Sequence, residues 1–580
     1  MKKKIIPMII AFILILIVLT AGFMTGLFEQ YTYSQKQADK KQYFSITSDD
    51  QAVLILNNNI LEEKARNIDG HYYLTLEAVQ TYFNEGFYAD RNEKLLLYAM
   101  PTEMMVTNWD SMEYTIGPQS LTEDYVIVKS KGEQLYIAID FLKKFQNIKM
   151  EEYQDPPRLQ IATIFDDKVV VDLNKEAAVR TEASRKGDIL TELLEGEKVT
   201  VLEVGEEWTK ILTEDAYIGY IENKRIVNAR AETVTPVTDV PEMVYTNIEK
   251  NYKINLTWHQ TTSQAANETL EEMLEGTRGI NTISPTWFSI TDNNGTISSI
   301  ASKTYVDIAH GRGMEVWALI DNFNKEVDSL EVLSYTSKRA FLIEQLMNWA
   351  DQLGLDGINI DFEELPEESG EHFEQFIREI SIACRLRGIV LSIDNYVPAS
   401  HNVHYGRDVQ GKVADYIIIM GYDEHYSTSI EAGSVASIGF VKNGIENTLK
   451  EVPSKKVINA VPFYTRLWIE TPKTEEEIAA EDVNTQYIPY KLESQALGME
   501  SAKSVLSRNG VVPVWDEETG QNYGTYVKDG ITYEIWLEDK DSIQRKIDCM
   551  KQYSLGGIAS WKLGMEEPVI WDIISEYLQL

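Results

Sequence analysis

From about residue 244 to the end, the sequence predicts an α/β fold of the (β/α)₈ TIM-barrel type. Two observations carry this expectation. Eight short apolar runs alternate with amphipathic helical patterns, which is the repeat of a closed parallel barrel. One run, LDGINIDFEEL at 355–365, also sets a polar residue at every second place, as a strand with one face in a lumen would. The predicted strands are 253–260, 280–290, 315–321, 357–365, 389–395, 414–423, 456–464 and 557–563. Between them, Phe341, Leu342, Leu346 and Trp349 follow helical spacing, and so do Phe373, Phe376, Ile377, Ile380 and Ala383. The stretch between the last two strands includes VVPVWDEETGQNYGTYVKDGITYEIWLED. It reads as an α+β insertion over about 469–540, a wall or lid beside the barrel mouth.

The residues ahead of the barrel are read in chain order. Lys2, Lys3 and Lys4 precede an uncharged run of 24 residues from Ile5 to Phe28. That run is long enough to cross a bilayer and exceeds the ~7–15 residues of a secretory h-region. Its best cleavage site, Thr20-Ala21-Gly22, is weak. Residues 1–28 are therefore expected to be cytoplasmic lysines and a transmembrane signal anchor. The membrane is then a partner through residues 5–28, with the bulk of the chain extracellular; cleaved secretion is the alternative. Residues 29–43 form a polar stalk.

Over 44–165 an internal repeat recurs. HYYLTLEAVQTYFN (71–84) matches EQLYIAIDFLKKFQ (133–146), and each copy reads as strand, short helix, strand. A small α+β domain with two related halves is expected. Residues 168–229 hold short β-runs separated by turn residues, as a small β-barrel requires. A Pro/Thr-rich linker at 230–243 follows.

Composition narrows the function classes. Lys and Arg total 54 against 91 Asp and Glu, a formal charge of −37. Such a balance disfavours nucleic acid as a partner. Cys384 and Cys549 are the only cysteines; they suggest free thiols in helices, and no CxxC points to zinc. No cofactor and no metal site is read from the sequence.

The polar row on the fourth strand is Asn359, Asp361 and Glu363, alternating with Ile358, Ile360 and Phe362. Successive strand side chains point to opposite faces. The amide and both carboxylates therefore share the lumen face, climbing toward the C-terminal end where such barrels carry their chemistry. A solvated edge strand would explain the polar face, but not apolar neighbours between two amphipathic helices. A calcium loop fails as well: its sixth place is Glu364 and its twelfth is Gly370.

On these residues the chain resembles glycoside hydrolase family 18, the chitinase-like barrels. DGINIDFE is similar to the family's DGxDxDxE, and MGYD (420–423) to its M-x-Y-D. ASWKLGME places Trp561 where the family keeps a sugar-stacking tryptophan. The resemblance covers about 244–580 and is nearest to bacterial cell-wall and spore-cortex N-acetylglucosaminidases. AVRTEAS…EWTKI…YIGYI resembles bacterial SH3-like domains through Trp208, Gly219 and Tyr220. The 44–165 region resembles the stalk-type domain named after copper amine oxidases; with no His cluster, no copper is inferred.

The family resemblance implies hydrolysis of β-1,4 bonds in N-acetylglucosamine polymers, peptidoglycan favoured over chitin, by substrate-assisted retaining catalysis. Glu363 is implied as general acid and then base. Asp361 would bond the acetamido N–H and stabilise the oxazolinium, and Tyr422 would bond the acetamido oxygen. Met420 and Asp423 would line the pocket, and Trp561 would form its apolar floor. Asp356 is expected to order the start of the strand. The family's middle aspartate is Asn359 here, an amide expected to bond Asp361 without sharing a proton. Trp258, Trp287 and Phe288 are read equally as sugar contacts or as core. A non-catalytic lectin-like wall protein is the alternative; such members typically lose the acid, and Glu363 is present.

Overall fold

The computed structural model describes residues 5–479 and 488–579. It divides into two compact units: Met1–Phe87, Thr107–Tyr114 and Ser120–Glu242 form one, and Tyr88–Val106, Thr115–Gln119 and Met243–Leu580 the other.

In the first unit a helix runs Ile5–Tyr31. Among the described residues no helix is long and apolar enough to cross a membrane, so the transmembrane anchor expected over 5–28 is not supported. The lysines at 2–4 lie outside the described residues.

The internal repeat folds as two strand–helix pairs, His71–Thr75 with Leu76–Tyr82 and Gln134–Ala138 with Ile139–Leu142. Their strands pair antiparallel, Leu74 opposite Ile137, inside one seven-stranded sheet. Seven antiparallel strands between Lys168 and Glu232 make a second sheet. A side chain at Gly219 would meet the carbonyl of Arg180 at 2.7 Å, so glycine is the residue that lets those strands close.

In the second unit eight parallel strands close on themselves: β1 Ile254–His259, β2 Thr282–Ile290, β3 Glu315–Asp321, β4 Gly357–Asp361, β5 Val390–Tyr396, β6 Tyr416–Met420, β7 Val457–Pro462 and β8 Gly557–Trp561. β1 pairs with both β2 and β8, which completes the barrel. The period-two pattern sorts the side chains. Ile358, Ile360 and Phe362 are buried outward against helices α1, Thr336–Leu353, and α2, Gly370–Arg387. The lumen is filled by Leu256, Trp258, Trp317, Leu319, Ile418, Ile458 and their neighbours. Both helices stop on a left-handed glycine, Gly354 and Gly388. Cys384 and Cys549 are free and buried on helices.

Residues far upstream complete the barrel's helical shell. Asp90 accepts a 2.6 Å bond from the Thr336 amide, capping α1 where the helix dipole favours an anion. The buried Arg339 reaches Glu379 through two bonds and the Tyr88 hydroxyl through a third. Arg385 donates to the carbonyl of Pro101 at 2.6 Å.

Between β7 and β8 the expected α+β insertion is a five-stranded antiparallel sheet with a helix, Met499–Arg508. Its base is anchored by Glu538, which accepts from Lys546 at 2.8 and 2.9 Å, from Gln521 and from Ser542. Both members of that ion pair are essentially inaccessible to water. Lys546→Met should therefore leave a buried carboxylate uncompensated and destabilise this unit by about 3–5 kcal/mol. Adding Glu538→Leu should recover much of the loss; urea unfolding of the three variants measures both.

Candidate active site

The site is built where β4 ends. Past Phe362 the chain turns, and Glu364 takes φ 51°, a left-handed conformation costly for a side chain with a Cβ. Asn322 holds the turn at both ends of one residue. Its oxygen accepts the Glu363 N–H at 2.8 Å and its amide donates to the Glu363 carbonyl at 2.9 Å. The Tyr396 hydroxyl, from the end of β5, donates to Glu363 Oε2 at 2.7 Å and accepts from the Glu364 N–H at 3.2 Å. The Tyr405 hydroxyl accepts from the Leu365 N–H. The Glu363 carboxyl is thus fixed from its backbone and from its tip. It borders a cavity lined also by Asn322, Phe323, Lys325, Glu364 and Pro366.

Burial raises the Glu363 carboxyl above the usual glutamate value; the Tyr396 bond opposes this, and Asp423 adds to it. One turn of the pleat deeper, Asp361 is 6% exposed. Burial pushes its carboxyl well above the ordinary aspartate value, and the neighbouring Asp394, Glu363 and Asp321 push the same way. Its Oδ1 is buried without a hydrogen-bond partner.

Asn359, at the bottom of the row, is completely buried. Its oxygen accepts from Trp258 Nε1 at 2.9 Å and from Ser284 Oγ at 3.1 Å. Its amide donates to Ser392 Oγ at 3.1 Å and to Asp394 Oδ1 at 2.9 Å. The amide therefore turns to β5 and not, as expected, to Asp361. Two places along a strand are about 6.6 Å apart, whereas the adjacent strand is about 4.8 Å away.

Across the mouth, Met420 ends β6, Tyr422 is half-buried, and Asp423 takes φ 60°. Burial raises the Tyr422 hydroxyl well above its usual value, and Asp361 adds to it. Tyr464, on the first strand of the insertion, donates to Asp423 Oδ1. Desolvation lifts the Asp423 carboxyl, against the Tyr464 hydroxyl and the Arg466 guanidinium. Trp561 is half-buried at the end of β8, its ring centroid 5.9 Å from that of Trp258.

Trp258, Trp287 and Phe288 prove to be core: each is at most 2% exposed, and both indole N–H groups are spent internally. Asp356 ties the start of β4, accepting from the Val316 N–H and meeting His310 Nε2, both at 2.8 Å. Sequence reasoning missed Tyr396, Asp394, Asn322 and Tyr464. A signal for two of them was available, since Ser392, Asp394 and Tyr396 repeat on β5 the every-second-place polar row of β4.

A protein-family model described as "Glycosyl hydrolases family 18" matches residues 254–566. The chain belongs to glycoside hydrolase family 18. A model for the bacterial SH3 domain matches 175–227, the stretch of antiparallel strands in the first unit. The family 18 region is similar to the uncharacterized glycosylase YvbX of Bacillus subtilis (strain 168), 26% identical over 49% of this chain and 80% of that one. It is also similar to the cortical fragment-lytic enzyme of Bacillus anthracis, 25% identical over 44% of this chain. The chain spans only 57% of that enzyme's length. Among solved structures, the C-terminal domain of a protein named as a chitinase from Desulfitobacterium hafniense DCB-2 shares the fold. Its TM-score is 0.50 at 20% identity, covering 57% of this chain and all of that domain. As a family 18 glycosidase, the chain holds its acidic row on β4 at the C-terminal mouth of the barrel.

Because the folded Asp361 carboxyl sits above its unfolded value, it binds more protons folded than unfolded. Stability is then lost as pH rises above the unfolded aspartate value of ~3.9. Asp361→Asn should raise the melting temperature at pH 7, and the gain should vanish at pH 3, where both states carry a protonated carboxyl. Calorimetry at the two pH values tests the sign.

Proposed function

We propose that this glycosidase cuts β-1,4 bonds of N-acetylglucosamine polymers, peptidoglycan before chitin, with the substrate's own acetamido group as nucleophile. The observation that carries the reading is the pairing of one half-buried glutamate, its carboxyl raised by burial, with one deeper aspartate two places before it. Glu363 is positioned to protonate the leaving oxygen. Asp361 at the end of β4 and Tyr422 just past β6 lie near enough for the aspartate to raise the phenol, and they suit the two ends of an acetamido group. An oriented intramolecular nucleophile needs only such holding to react fast. Peptidoglycan is favoured by the cortical fragment-lytic relatives.

In this reading Glu363 gives its proton to the glycosidic oxygen as the C–O bond breaks, and the acetamido oxygen closes on the anomeric carbon. The Glu363 carboxylate then takes a proton from water, which opens the oxazolinium with net retention. Trp561 offers the ring an apolar floor.

Glu363→Gln should lower kcat on a fluorogenic GlcNAc oligomer by about 10²–10⁴, with KM little changed. Equal, negligible rates in wild type and variant would instead favour the lectin-like reading. Proton NMR should find the retained anomer released first, and de-N-acetylated substrate should not turn over. Inversion, or equal turnover, would remove Asp361 and Tyr422 from these roles. Mass spectrometry of a peptidoglycan digest should report N-acetylglucosamine at the new reducing end.

Tyr396→Phe removes the bond that favours ionised Glu363, so the glutamate value rises further. The acid then keeps its proton to higher pH, and the basic limb of the pH–rate profile should move upward. A limb that stays or moves downward would contradict the role given to Tyr396.

A further inference from the structure

The lumen holds a second buried aspartate that the reading above leaves idle. Asp394 is 3% exposed on β5. Asn359 pairs with Ser392, and Ile360 with Ile393, in the parallel ladder. Asp361 and Asp394 are the residues that directly follow that last rung on their two strands. Asn359 spends one donor on Asp394 Oδ1 at 2.9 Å, while Asp361 Oδ1 is buried with nothing to bond. The titratable groups that act on Asp361 are Asp394 from β5, Glu363 from its own strand and Asp321 from β3. Tyr422 beyond β6 and Tyr405 beyond β5 also face it. These groups are all acids. Two carboxylates cannot both stay ionised in such a place.

We propose that Asp394 is the positioning partner of Asp361, the two carboxyl groups holding one proton between them. This rests on the retaining, acetamido-assisted reading. Burial and Glu363 raise the Asp394 carboxyl too, but the Asn359 bond favours its anionic form; Asp361 has no such bond at Oδ1, so the resting proton is assigned to Asp361. As the oxazolinium forms, the Asp361 O–H bond breaks and an O–H bond forms on Asp394. The electron pair stays with Asp361, whose carboxylate then faces the new cation. No other bond changes, and the proton returns when the intermediate is hydrolysed. Asn359 itself cannot hold the proton, because all four of its hydrogen-bonding positions are committed. In this chain the proton partner of Asp361 stands on the neighbouring strand instead of two places back on its own.

The test combines titration with kinetics on the full chain. With ¹³Cγ-labelled aspartate, the wild type should show Asp361 and Asp394 titrating in two widely separated steps. Asp394→Asn should collapse these to a single step at lower pH, since the repelling charge is gone. It should also lower kcat by about tenfold or more, with KM little changed. Asn359→Asp/Asp394→Asn, which returns the second carboxyl to β4, should restore both the two-step titration and most of the rate. An unchanged Asp361 titration and pH–rate profile in Asp394→Asn would overturn the proposal, as would a single ordinary aspartate step in the wild type. Should wild type cleave no N-acetylglucosamine polymer, the proposed function falls, and the titration still decides whether the pair shares a proton.

Discussion

A barrel lumen is largely closed to water, so an amide buried there is costly unless other strands supply its partners. Asn359 meets that constraint with all the bonds an amide can make. Trp258 reaches it from β1, Ser284 from β2, and Ser392 and Asp394 from β5. Three other strands are thereby pinned to one side chain of β4. Below it lie the indoles of Trp258 and Trp317 and an aliphatic layer; above it begin the carboxyl groups. The amide marks the boundary between the packed core and the acidic residues above it, and being neutral it adds no further charge to that cluster.

Depth then separates the roles of two otherwise similar groups. Asp361 is nearly sealed, whereas Glu363 is half-buried beside an open cavity. Desolvation raises both, but only Glu363 has a donor, Tyr396, that holds its value down. Environments that push two acids apart let neighbouring carboxyl groups of one type behave differently. The turns that deliver these side chains use left-handed backbone at Glu364 and Asp423. Such strain persists where surrounding bonds over-determine it, as those from Asn322, Tyr396 and Tyr464 do here.

Much of this was legible in the residues because β-structure has a period of two. Eight strands and the lumen face of Asn359, Asp361 and Glu363 follow from alternation alone. What alternation cannot say is which strand's polar row meets which. Asp394 alternates with Ser392 in IVLSIDN, but nothing in that run says that Asn359 of β4 will meet it. Tyr464 and Asn322 lie just beyond strand ends, where side-chain direction is set by turns rather than by pleat. The aromatic residues of β1 and β2 were ambiguous for a different reason. An indole suits a sugar and a core equally, and only the committed N–H groups of Trp258 and Trp287 decide for the core.

The barrel unit is not continuous along the chain. Asp90, which caps α1, and Pro101, which binds Arg385, are separated from the first barrel strand by more than 150 residues. During synthesis these segments leave the ribosome long before the helices they complete. The intervening stretch, including the SH3 domain, must be made before its two ends can meet. Closing so long a loop costs little more than closing a short one, since the entropy grows only with the logarithm of length. It does impose an order of events, because domains form as they emerge. The upstream segments have to wait, and the α1 amide of Thr336 receives its capping carboxylate only after both have been translated.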